Sequence, residues 1–142
     1  MITTGSAVTC EIHDHWVTLS HRSCRDTEFN TKKQIFEFFG YDTISVESQC
    51  FQTARLMTIK ECSYDIKRRF YEVIDEIETA KEDHYEYSEL TLYLAQESSL
   101  PDYLCDFFQF VYESFDHYGL DIHDGNFLYD PKTDRIIPHD LI

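Results

Sequence analysis

The chain has 142 residues, is 42% hydrophobic and 15% aromatic, and carries a formal net charge of −15. That length gives one domain with room for a real core, the acidity argues against direct contact with nucleic acid, and no apolar run is long enough for a membrane span. Residues 1–9 lack a basic segment followed by an apolar one, so no signal peptide is expected and the chain reads as cytoplasmic.

In chain order, Val8–Ile12 and residues 16–19 alternate and are rich in β-formers, so they read as two strands around His13-Asp14-His15. Residues 31–39 read as a short helix with Ile35, Phe38 and Phe39 on one face and Gly40 as its stop. Residues 43–47 and 51–59 read as a second strand pair.

From Ser63 the periodicity becomes helical. Ile66, Phe70, Val73, Ile74, Ile77 and Ala80 share a face, acids take the other, and Ser63 suits the N-cap. A second helix begins near Ser88 with Leu90, Tyr93 and Leu94 inward. Ser99-Leu100-Pro101 opens a third, whose stripe is Leu104, Phe107, Phe108, Val111 and Phe115, with Gly119 as its cap. Strands at 127–129 and 135–137 flank the turn Asp130-Pro131-Lys132-Thr133. The expected class is α+β, a single domain with a β-rich part over 1–62 and a helical part over 63–142.

The five cysteines are scattered and form no Cys-x-x-Cys pair, so they read as reduced thiols. The first 71 residues carry nine charges of each sign, and the whole −15 arises from Glu72 onward. That half should repel nucleic acid and favour basic surfaces. The simplest reading of Lys67-Arg68-Arg69 is a solvated helix face.

One motif carries chemistry. Asp121-Ile122-His123-Asp124-Gly125-Asn126 puts an asparagine five residues after an aspartate, and Asp140 follows fourteen residues later, after the hairpin. Phosphoryl transfer uses one aspartate to orient the accepting hydroxyl, and an asparagine and a second aspartate to hold the metal ions on the phosphates. The Asp-x-His-x-Gly-Asn form resembles that of aminoglycoside phosphotransferases. From about Phe51 to Ile142 the chain is also similar to the early serine/threonine kinases of T-seven-like phages: a strand into the turn Lys60-Glu61-Cys62, acid-rich helices, the motif loop, a hairpin and a closing aspartate.

That resemblance implies a reduced, truncated kinase-like fold, with Asp121 as the catalytic aspartate and Asn126 and Asp140 holding Mg²⁺ and, through it, ATP. Against activity, the first half has only Gly5 and Gly40 where a glycine-rich loop is needed, and no strand lysine in a Val-x-x-Lys setting. Gly119 stands where a histidine is usual, and Leu141-Ile142 follow Asp140 in place of Phe-Gly. Whether the chain is an enzyme is therefore open. The leading expectation is a degenerate kinase-like protein of phage or mobile-element origin. It would modulate a basic, nucleic-acid-handling or defence protein of the host through its acidic face. The alternatives are an active ATP- and Mg²⁺-dependent phosphotransferase and an acidic DNA mimic unrelated to kinases.

Overall fold

The computed structural model describes residues 2–4, 8–21, 26–47, 49–115, 120 and 122–140, without side-chain burial for 2–4, 8–9, 21 and 26–28. Among them are four helices and two antiparallel sheets, an α+β architecture. Contacts divide the chain into two units: Met1–Met57 with Leu128–Asp140, and Thr58–Phe127 with Leu141–Ile142.

In the first unit the strands β1 (Ile2–Thr4), β2 (Val8–Ile12), β3 (Trp16–His21), β4 (Ile44–Glu47) and β5 (Cys50–Ala54) form one sheet of order β1-β2-β3-β5-β4. The helix α1 (Asp26–Phe38) lies between β3 and β4 in the chain. It starts earlier than its sequence periodicity suggests and buries Lys32, Ile35, Phe36 and Phe39, which recur at helical spacing. Phe36 meets Phe51 of β5 edge-on, with ring centroids 5.9 Å apart. Leu19 pairs with Phe51 and Val17 with Thr53, so these residues lie on the sheet face that α1 covers. Ile44, Gln52, Thr18, Ala54 and Trp16 take the opposite face.

The end of α1 is fixed by Gly40, whose φ of +90° is the left-handed conformation that closes a helix. Its N–H donates to the Glu37 carbonyl at 3.0 Å, and the Tyr41 N–H donates to that of Phe36 at 3.1 Å. This is the Schellman pattern, and it aims Tyr41 away from the helix axis.

The apolar run 51–59 does not form one strand. β5 ends at Ala54, where the Arg55 N–H bonds to the His15 carbonyl and its guanidinium to that of His13. A two-residue strand β6 (Met57–Thr58) follows, then a 3₁₀ turn at Ile59–Glu61. β7 (Leu128–Asp130) and β8 (Arg135–Ile137) form the expected hairpin, and the smaller sheet has the order β6-β7-β8. The Asp130 carboxylate accepts from the Lys132 N–H at 2.9 Å, and Asp134 takes a φ of 54° to close the turn. Arg135 donates to the Phe39 carbonyl at 2.8 Å and lies over its ring, which ties the hairpin to α1. By its contacts the hairpin belongs with the β-rich unit.

In the second unit α2 (Tyr64–Asp83), α3 (Tyr87–Gln96) and α4 (Asp102–Ser114) pack in sequence, α3 against α4 most extensively. The buried stripes are Phe70, Val73, Ile77 and Ala80 on α2, Leu90 and Leu94 on α3, and Leu104, Phe107, Phe108 and Val111 on α4. Ser63 stands at the N-cap of α2, but its side chain makes no capping bond. Gly119 lies outside the described residues. No helix among the described residues is long and apolar enough to cross a membrane.

Candidate functional site

The motif loop is built from its own side chains. His123 Nδ1 accepts from the Gly125 N–H at 3.1 Å and caps a 3₁₀ turn at Asp124–Asn126. The turn closes with the Asn126 N–H donating to the His123 carbonyl at 3.0 Å. A Cβ on Gly125 would stand 3.0 Å from the His123 ring, which would have to give by a few tenths of an ångström to admit it. His123 is exposed and shapes the loop by its hydrogen bond.

Asn126 is 5% exposed. It is seated by Phe127, which packs edge-on against Phe70 of α2 at 5.1 Å between centroids. Beside the loop is a cleft of about 220 Å³ lined by Thr58, Ile59, Lys60, Asp124 and Gly125. Asp121 lies outside the described residues. Asp140 belongs to the first unit.

The carboxylate of Asp140 is half-exposed and pairs with Lys32 of α1, Nζ to Oδ1 3.2 Å. Lys32 is 6% exposed, so a buried ammonium has this carboxylate as its counter-charge. Nothing in the motif points to Lys32. The signal was present, because Lys32 shares the helical stripe of Ile35, Phe36 and Phe39, where a charge needs a partner.

A second polar group lies at the α1–β4 connection. The Tyr41 hydroxyl donates a short hydrogen bond to Asp130 Oδ2. Burial, then this bond, push the Tyr41 phenol up to about 12. Burial alone would raise the Asp130 carboxyl, but hydrogen bonds from Tyr41, the Lys132 N–H and Thr133 outweigh it and bring it below the usual range.

The four described cysteines form no disulfide. Cys62 donates to the Thr58 carbonyl at 3.3 Å, and burial raises its thiol above the ordinary value. Among the described residues, no three of His, Cys, Asp and Glu cluster as a metal site. His13 stacks on Trp16, centroids 3.6 Å apart, and its Nε2 lies 3.2 Å from Glu11.

Acids crowd the solvent side of the helical unit. Glu72, Asp75, Glu78, Glu82 and Asp83 of α2 are exposed, as are Glu89 of α3 and Asp102, Asp106 and Glu113 of α4. Exposed tyrosines stand among them, Tyr71 at 62% and Tyr85 at 89%. No family model, curated protein or solved structure matches the chain.

Proposed function

We propose that this chain is a degenerate kinase-like protein of phage or mobile-element type that binds a basic host protein and modulates it. The observation that carries the reading is the exposure of acids along α2, α3 and α4, whose other sides form the core of their unit. A surface of one sign steers a partner of the other sign and sets its orientation. A nucleic-acid-handling or defence protein offers such a partner through its basic groove.

Three features support the kinase-like part. α1 follows the third strand of the five-stranded sheet, where the kinase small lobe has its helix C. The motif loop leads directly into the hairpin. The hairpin is followed by Asp140. Degeneracy is supported by β3, Trp16–His21, which contains no lysine for the phosphates.

An active phosphotransferase is the second reading, favoured by Lys32. This lysine brings a cation to Asp140 from the helix instead of the strand. On that reading Asp121, Asn126 and Asp140 would keep the roles that the resemblance implies, and Lys32 would turn to the phosphates of ATP.

Capture from host extract, repeated over a salt series and with added DNA, tests the binding reading. The partner should be a basic protein, displaced by DNA and lost when Glu78, Glu82 and Asp83 are changed to Lys. A partner held equally by wild type and that variant would contradict it. Phosphate transfer from labelled ATP that disappears in both Asp121→Asn and Lys32→Met would establish the enzyme instead.

A further inference from the structure

We propose that a cleft beside β4 takes an arginine side chain from an extended peptide segment that pairs with the outer edge of that strand. This goes beyond the acidic-helix reading and concerns a different surface, in the β-rich unit.

β4 is the last strand of its sheet, and all four of its residues are exposed. Ile44 is 61% and Val46 53% exposed. Edge strands are usually blunted by charge, proline or a bulge; here Glu47 and a register shift between Ser45 and Glu47 interrupt one end of β4 and leave its Ile44 end regular. Its outward N–H and C=O groups suit the addition of one more strand.

Next to this edge is a cleft of about 430 Å³ lined by Trp16, Tyr41, Asp42, Ile44, Gln52 and Thr53, among others. The volume falls within the range of small-ligand sites. Its lining combines two aromatic rings with one carboxylate and has no lysine or arginine. Rings and a carboxylate together recognise a cation. A guanidinium fits better than an ammonium, because it is flat, weakly hydrated, stacks on rings and donates to a carboxylate in a fork.

The register agrees. A peptide residue opposite Ile44 would turn its side chain to the face shared by Ile44, Gln52 and Trp16. The edge therefore holds the backbone, and the cleft reads one side chain.

Trp16 is the only tryptophan in the sequence, so its emission reports on the cleft. The full chain is titrated with a blocked pentapeptide of threonine, valine, arginine, valine and threonine, and with its citrulline counterpart, which keeps the shape and loses the charge. The arginine peptide should give a saturable change, and the citrulline peptide should bind about tenfold more weakly or worse. Asp42→Asn should weaken the arginine peptide about tenfold without changing thermal stability. N-methylation of the amides that would face β4 should abolish binding.

The variant with Glu78, Glu82 and Asp83 changed to Lys should bind the peptide as wild type does. No saturable change, or equal affinity for citrulline, would overturn the inference. Loss of the peptide in the helix variant would overturn it too, by tracing the attraction to the acidic helices and leaving the proposed function standing.

Discussion

Five residues decide how the β-rich unit balances buried polarity. Lys32 depends on Asp140 for its counter-charge. Asp140→Asn should destabilise the fold by roughly 1–2 kcal/mol, less than a fully buried pair would because the carboxylate is half-exposed. Lys32→Met should cost less, and adding Asp140→Asn to it should cost nothing more. Denaturant melts of the three variants form the double-mutant cycle that checks this. Thr53→Val removes a buried hydroxyl without a described partner and should stabilise by about 1 kcal/mol in the same assay. Tyr41 and Asp130 give a pH signature. The Asp130 carboxyl is lowered in the fold, so its contribution is present above the ordinary carboxylate range and lost as pH falls through its folded value. The Tyr41 phenol is raised from 10.0 to about 12, so its contribution is present below 10 and lost as pH rises through about 12. Tyr41→Phe should flatten both limbs of a stability–pH curve, and an unchanged acid limb would show that this bond does not hold Asp130 down.

Between residues and whole molecule, the elements follow local chemistry closely. Gly40→Ala meets no side chain, since nothing lies within 4 Å of the added Cβ, but it forces a positive φ on alanine. It should cost about 1 kcal/mol, with Gly40→Asn costing less, because asparagine tolerates that conformation. Phe108→Ala, at a fully buried stripe position of α4, should cost about 3–5 kcal/mol, while Tyr85→Ala in the exposed α2–α3 connection should cost almost nothing. Thermal melts separate the two.

The β2–β3 and β7–β8 pairs and the three helices of the second unit were legible in the sequence, because alternation, helical stripes and the Asp-Pro turn agree there. The break at Arg55 was not. The run 51–59 holds no glycine or proline, and what ends β5 is a pair of bonds to the β2–β3 turn, made only in three dimensions. The return of the hairpin to the first unit is equally non-local, resting on Arg135 and Tyr41. The site was legible in part. The motif singled out Asn126 and Asp140, but the lysine that meets Asp140 comes from a helix far upstream. Neither the cleft beside β4 nor the partnerless Thr53 hydroxyl has any sequence mark.

At the scale of the molecule, charge sets the account. The net −15 comes from the half after Tyr71, and the exposed acids of α2, α3 and α4 present it to solvent. The claim at the centre is that this surface docks a basic protein. The direct measurement is the association rate of the captured partner with wild type and with the variant bearing Glu78→Lys, Glu82→Lys and Asp83→Lys, across a salt series. The account predicts fast association at low salt that slows steeply as the screening length shrinks toward about 8 Å at physiological ionic strength. It predicts a variant slower by about tenfold or more at low salt, with the two curves converging at high salt. Equal rates for both proteins at every salt concentration would contradict it.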